Sequence, residues 1–253
     1  MKKRIHIMFW VSIMLLYSMI FSQSFQKFIY KTKFKSFNVG TTEIIIQDNQ
    51  IENLEIDEDQ KLITIESFSN QWIDLLYKLR HHSTLIVNSN DYSLLALTQK
   101  VQQGDYIDSY NATINYLDNI IYYNNFQDLT NTTKEESLII PIEGKIYEPF
   151  AIVYYLQNLT LQTNQKHIFN YYAKTNIKSL QLEVFNTENI KTPYITSPCY
   201  LVVPNSNTEE LLLKNKGEMK IWYTADALQL PIKIQQKMRH GIMELLLIDY
   251  VTE

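Results

Sequence analysis

The sequence predicts an all-β, mainly antiparallel protein: a strongly curved sheet or partly open barrel-like meander with one or two short helices. Three observations carry that expectation. Apolar and polar side chains alternate with a period of two over most of residues 28–251, the pattern of strands with one face inward and one face wet. Short turn signals recur between the alternating runs. A 253-residue chain that is 45% hydrophobic holds ample material for one large core, and all-β units of this size are common.

The elements follow in order. Phe28, Tyr30, Thr32 and Phe34 alternate with Ile29, Lys31, Lys33 and Lys35, giving a first strand. Phe37-Asn38-Val39-Gly40 is expected to turn the chain into a β-branched return strand over 41–47, with a third strand over 61–67. Asn70 is expected to cap a helical turn beginning at Gln71-Trp72 that leads into a strand over 77–87. Strands at 93–102, 106–117 and 120–123 are separated by Gln103-Gly104-Asp105 and Asp118-Asn119. The polar, Asn-rich stretch 124–136 reads as a long exposed loop. Pro149 stands at a plausible first helical position. The residues after it, Ala151 to Gln157, are apolar on more than one face, so this helix is expected to be buried against the sheet. Further strands are expected at 165–173, 179–189, 200–203, 219–223, 230–238 and 242–251, the last pair joined by Arg239-His240-Gly241. The glycines, and the 21 asparagines, are expected to supply the positive-φ turn positions.

Residues 1–24 have the layout of a secretory signal. Lys2, Lys3 and Arg4 precede an apolar run from Ile5 to Phe21, and Ser22-Gln23-Ser24 gives a small-x-small cleavage pattern. An uncleaved anchor helix is the competing reading, because the run is at the lower limit for spanning a bilayer; the polar stop after Phe21 favours cleavage. The expected domains are therefore a leader over 1–24 and one β-rich unit over 25–253, exported to the periplasm or cell envelope. Cleavage would remove three of the 23 basic residues and none of the 27 acidic ones, so the net charge would fall from −4 to −7. That balance argues against nucleic acid and against simple adsorption to anionic lipid head groups. With a single cysteine, Cys199, there is no internal disulfide. Flanked by Pro198 and Tyr200-Leu201-Val202-Val203, it reads as a core thiol.

Several blocks together resemble a known exported bacterial family, the domain of unknown function 3108. Phe28-Ile29-Tyr30-Lys31 through Val39-Gly40-Thr41-Thr42 is similar to its first hairpin, and Leu76-Tyr77-Lys78-Leu79-Arg80 to a second segment. Pro149 to Leu156, with Val153-Tyr154-Tyr155-Leu156, resembles its buried helix, although Gln157 stands where the family usually has Arg. The closing block Lys220-Ile221-Trp222-Tyr223-Thr224-Ala225-Asp226, Leu230-Pro231-Ile232 and Gly241 is the most specific match. The resemblance implies an envelope-associated curved sheet with no catalytic residues to carry over.

Tests for chemistry return little. His81 and His82 are adjacent, and adjacent residues on a strand face opposite sides, so the pair does not chelate one metal. Glu55, Asp57, Glu58 and Asp59 lack the glycine and terminal glutamate of a calcium loop and read as a solvated connection. Asn111, Asn131 and Asn158 begin matches to the glycosylation pattern, which 21 asparagines produce by chance. No nucleophile elbow, zinc-helix motif, phosphate loop or dinucleotide fingerprint occurs. No cofactor, metal or catalytic residue is therefore expected. The candidate ligand or anion contacts are Arg80, Tyr77, Tyr154, Tyr155, Trp222 and Asp226. Each has a structural alternative: an ion pair for Arg80, packing for the aromatic side chains, a turn cap for Asp226.

Three functions follow from different classes. The first is a non-enzymatic binder or carrier of an apolar or amphipathic ligand such as lipid, for which an apolar groove of roughly 300 Å³ or more is the expected signature. The second is a structural or assembly factor that docks another envelope protein through a strand edge or aromatic patch. The third and weakest is a hydrolase, which needs a buried carboxylate facing a His or Ser.

Overall fold

The computed structural model describes residues 25–48, 59–126, 136–204, 219–238 and 241–253. The leader segment, most of the acidic 55–59 stretch and the centre of the Asn-rich loop lie outside these residues. Fifteen strands form one sheet: β1 Phe25–Phe34, β2 Phe37–Asp48, β3 Gln60–Ser69, β4 Leu79–Asn88, β5 Leu94–Gln103, β6 Tyr106–Asn115, β7 Ile120–Asn125, β8 Glu136–Pro141, β9 Ile146–Tyr147, β10 Lys166–Ala173, β11 Asn176–Lys191, β12 Thr196–Pro204, β13 Met219–Thr224, β14 Pro231–Met238 and β15 Gly241–Thr252. Two helices interrupt them, α1 Gln71–Asp74 and α2 Pro149–Gln157.

The strand order is 8-7-6-5-4-3-2-1-15-14-13-12-11-10-9. The chain thus runs outward from β1 to one edge, jumps to the opposite edge, and meanders back until β15 pairs with β1. Every pairing is antiparallel except β9 with β10. The jump from β8 to β9 uses only residues 142–145, which span no more than about 18 Å when extended. The two edges must therefore lie near each other, and the sheet curls almost full circle without closing.

Side chains bridge the open seam. The Tyr116 hydroxyl, in the turn after β6, donates to Leu94 O (2.9 Å) and lies 3.3 Å from both the N and the O of Ile146 on β9. Lys145 pairs with Asp91. At the other end of the seam Lys174 Nζ donates to Asp108 Oδ2 at 2.7 Å and lies 5.5 Å from the centre of the Tyr110 ring. Successive antiparallel strands sort the connections into two rims. The lower rim carries the β1–β2, β3–β4, β5–β6, β10–β11 and β14–β15 connections. The upper rim carries β4–β5, β6–β7, β8–β9, β11–β12 and β13–β14.

Inward positions follow the predicted alternation. Phe28 and Tyr30 on β1, Ile44 and Ile46 on β2, Ile63 and Ile65 on β3, and Leu85 and Val87 on β4 are buried. Burying each large apolar side chain contributes about 1.5–3 kcal/mol. Inside the curl lies α2, whose Ala151, Ile152, Val153, Tyr154 and Leu156 are all buried. A helix apolar on several faces has no wet side, so the sheet must surround it. Pro149 opens the helix, and Glu148 caps it by accepting from Phe150 N (2.7 Å) and Ala151 N (3.2 Å).

Four expectations need correction. The first hairpin turns at Lys35-Ser36, both at positive φ (48° and 72°), and not at Phe37–Gly40. Gly40 lies inside β2, where a Cβ would come within 2.2 Å of Phe68 O, so glycine there serves close strand approach. Asparagine supplies only Asn119 and Asn164 of the seven non-glycine positive-φ residues described; the rest are fixed by turn context. The stretch 124–136 was expected to be loop, yet β7 runs to Asn125 and β8 begins at Glu136. Strands β8 and β9 were missed, because the Leu138-Ile139-Ile140 run is too short to alternate and β9 is two residues long.

Candidate functional site

Below the N-terminus of α2, toward the lower rim, a cavity of about 180 Å³ lies between the helix and β13–β15. Pro149, Phe150 and Val153 form its helical wall, and Met219, Ile234, Met243 and Leu245 its sheet wall. Glu148 and Gln236 are its polar members. Burial raises the Glu148 carboxyl to about 7, against the pull of the two backbone N–H groups it caps. Its proton is therefore retained to near neutrality, and the cavity presents a carboxyl in an otherwise greasy wall. No His, Ser or Cys is among the described lining residues.

The expected candidates do not converge on this cavity. Tyr154 is fully buried on α2, and its hydroxyl meets that of Tyr30. Tyr155, half-buried, packs among Tyr92, Tyr147 and Phe169 at ring separations of 5.9, 6.1 and 6.2 Å. On β13, Tyr223 points inward and donates to Val153 O at 2.8 Å. Its neighbour Trp222 takes the other face, with Lys233 Nζ 4.8 Å from the ring centre and its indole N–H donated to Glu188. Asp226 caps the β13–β14 turn, accepting from Leu228 N, Gln229 N and the Thr224 hydroxyl at 3.0, 3.2 and 2.8 Å.

Arg80 and Tyr77 lie together beside α1. Asp74 takes both ends of the Arg80 guanidinium, and Ser69 donates to the same carboxylate. Hydrogen bonding from Arg80, then from Ser69, holds the Asp74 carboxyl at about 2. Arg80 is thus engaged by a neighbour on its own connection. It lines a groove of about 500 Å³ on the outer face of β3–β6 with Glu66, Phe68, His82, Lys100 and Gln102. His82 in turn faces Glu66 at 3.1 Å. His81 points the other way and shares a 2.6 Å hydrogen bond with Ser83; burial lowers its pKa to about 4. Cys199 is buried, and desolvation pushes its thiol up to about 12.

A third feature was not anticipated. Helix α1 has no buried residue, and Trp72, Leu75 and Leu76 are 81%, 79% and 85% exposed. The capped helical turn is as expected, whereas the exposure of Leu75 and Leu76 is not read from the sequence. The Leu-Leu pair directly after a four-residue helix was the signal that could have revealed it. Glu148 carries a signal of its own in the sequence: an acid preceding a proline-initiated apolar helix marks a buried cap.

Among the described residues no three His, Cys, Asp or Glu side chains gather to hold a metal ion, and no helix is long and apolar enough to cross a membrane. Among solved structures, the chain is similar to a β-barrel-like protein of domain of unknown function DUF1849 from Brucella abortus, at 8% identity and a TM-score of 0.55, covering 90% of this chain and 98% of that one. That likeness concerns the fold alone. A "putative lipoprotein" from Parabacteroides distasonis ATCC 8503 aligns at 12% identity with a TM-score of 0.30, over 89% of this chain and 94% of its own. No curated protein matches the sequence. The family model described as protein of unknown function (DUF3108) matches residues 29–247, nearly the whole of the described sheet, and the chain belongs to that family.

Proposed function

We propose that this protein is an exported, non-enzymatic binder of an amphipathic molecule, which places the end of an apolar chain in the cavity under α2. The observation that carries the reading is the cavity itself: seven apolar side chains around about 180 Å³, with one protonated carboxyl at the helix end. Pockets that enclose whole drug-sized ligands run to about 300–1,000 Å³. A space below that range suits the tail end of an amphiphile whose head stays outside, and falls short of holding a complete lipid. Export is supported by the leader-like layout of residues 1–24.

Native mass spectrometry of protein released gently from the envelope of an expressing bacterium tests the reading. A one-to-one adduct that extracts into organic solvent is expected, reduced in Met243→Phe, which fills the cavity. A clean ligand-free mass for the wild type overturns it.

A further inference from the structure

We propose that the lower rim around α1 is a docking surface for a lipid bilayer that carries anionic head groups. This inference goes beyond the cavity reading and does not depend on it. The surface is built from three connections. Phe37 begins β2, Trp72, Leu75, Leu76 and Tyr77 belong to α1 and its exit, and Tyr106 begins β6; they are 75%, 81%, 79%, 85%, 51% and 54% exposed. Single exposed apolar side chains are ordinary on soluble proteins, but six large ones on one rim are not.

The chain holds this patch together and holds it out. Asn70 donates its backbone N–H to Val39 O (3.0 Å) and its side-chain amide to Asn38 O (2.9 Å), which ties α1 to the strand beginning at Phe37. Gly104 N donates to Lys78 O (2.8 Å), and the Tyr77 ring lies against Gly104, which ties the exit of α1 to the turn before Tyr106. Beneath the helix the Arg80–Asp74–Ser69 cluster fixes its last residue. The apolar side chains therefore cannot fold back onto the core. Their exposure is a fixed feature of the connection.

Charge selects the occupant. The exposed ionic side chains on the described turns of this rim are Lys35 and Lys78 against Asp105, with the exposed Lys237 at the rim end of β14, and the backbone N–H of Lys35 bonds Ile242 O (3.0 Å), which joins the β1–β2 turn to the β14–β15 hairpin. Around α1 the described residues of the rim are thus locally cationic on a chain of net negative charge, so the overall balance that argued against anionic membranes does not describe this patch. Trp and Tyr rings beside leucines, flanked by lysines, are the composition of an interfacial anchor: apolar side chains below the head groups, amphipathic rings at their depth, cations at the phosphates.

The test uses the protein as recovered from a bacterium expressing the full chain, with vesicles of phosphatidylcholine alone or with 30 mol% phosphatidylglycerol. Trp72 fluorescence, taken as the difference between wild type and Trp72→Phe, should shift to the blue on the anionic vesicles. Leu75→Asp with Leu76→Asp should abolish that shift and lower vesicle flotation ten-fold or more. Each of Lys35→Gln, Lys78→Gln and Lys237→Gln should lower flotation on anionic vesicles by roughly five-fold, with little change on neutral ones. All of these positions are exposed, so unchanged far-ultraviolet circular dichroism is the control for folding. No Trp72 shift on anionic vesicles overturns the proposal. So does flotation that the Leu75 and Leu76 substitutions leave intact, or a patch-dependent complex with an envelope protein in the absence of vesicle binding.

Discussion

Tyr30 and Tyr154 share a hydrogen bond 3.1 Å long between side chains 124 residues apart, one on the central strand and one on the enclosed helix. The Tyr30 hydroxyl also donates to Pro231 O at 2.9 Å. A phenol has one proton, so Tyr154 must be the donor in the shared bond and Tyr30 the relay. Tyr154→Phe then removes one bond and leaves Tyr30 engaged, at about 1 kcal/mol. Tyr30→Phe strands both the Pro231 carbonyl and the Tyr154 hydroxyl in a dry interior, at about 2–3 kcal/mol. Chemical denaturation of the two variants should give that order. Equal costs would mean the relay is not formed.

The pH dependence of stability should carry two large opposed contributions, with His167, also lowered by burial, adding to the second. Burial raises Glu148 from 4.5 to about 7, so the folded chain keeps a proton that the unfolded chain releases. The stabilisation is complete below 4.5 and is lost as pH rises toward 7. His81 is lowered from 6.5 to about 4, first by burial and then by His82, so the unfolded chain binds the proton more readily. Its contribution is present above 6.5 and is lost as pH falls toward 4. Each effect is at most about 3 kcal/mol. Between 4.5 and 6.5 they run against each other and the wild type should be nearly flat. Glu148→Gln keeps an oxygen for the helix cap but does not titrate, so its stability should climb with pH across that window. His81→Gln should fall instead. Urea midpoints at four pH values decide the matter; parallel curves for all three proteins would mean neither shift exists.

Much of this fold was legible because strands betray themselves by parity. Phe28, Tyr30, Ile44, Ile46, Leu85 and Val87 alternate, and all are buried. The enclosed helix was legible for the opposite reason, since Ile152, Val153, Tyr154 and Leu156 leave no polar face. What the sequence hid was long-range: that the chain crosses from one sheet edge to the other within residues 142–145, and that Lys174 meets Asp108 across the seam. Local pattern also misassigned Gly40, because a glycine needed for space and one needed for positive φ look alike in a sequence. The candidates fared similarly. Arg80 asked for a partner and found Asp74 six residues away, whereas the cavity walls come from β13, β14, β15 and α2 and share no motif.

Gly40 and Gly104 should respond differently to alanine. At Gly40 the new methyl would meet backbone, Phe68 O at 2.2 Å and Ser69 Cα at 3.1 Å, and neither can move without parting β2 from β3. Gly40→Ala should cost about 3 kcal/mol or more, or prevent folding. At Gly104 the nearest atoms belong to the Tyr77 ring, 3.4 Å away, and the strain comes from φ of +61°. Gly104→Ala should cost about 1 kcal/mol. Thermal unfolding of the pair checks the difference.

The open seam should be the softest part of the sheet, and the Lys174–Asp108 pair is the bridge at its lower end. The Asp108 side chain is 12% exposed and that of Lys174 is 36% exposed, so the partners are unequally placed. Lys174→Met strands a nearly buried carboxylate, which costs about 2–3 kcal/mol. Asp108→Asn leaves an ammonium that can turn to water and keeps its place over the Tyr110 ring, 5.5 Å from the centre, so it should cost about 1 kcal/mol. Combining the two should recover part of the Lys174→Met loss, because no unpaired charge remains. Hydrogen exchange adds a spatial readout. Lys174→Met should speed exchange in β6 and β10, which face each other across the gap, and leave the central β1–β15 pair unchanged. Uniformly faster exchange would mean that the seam opens only with the whole sheet.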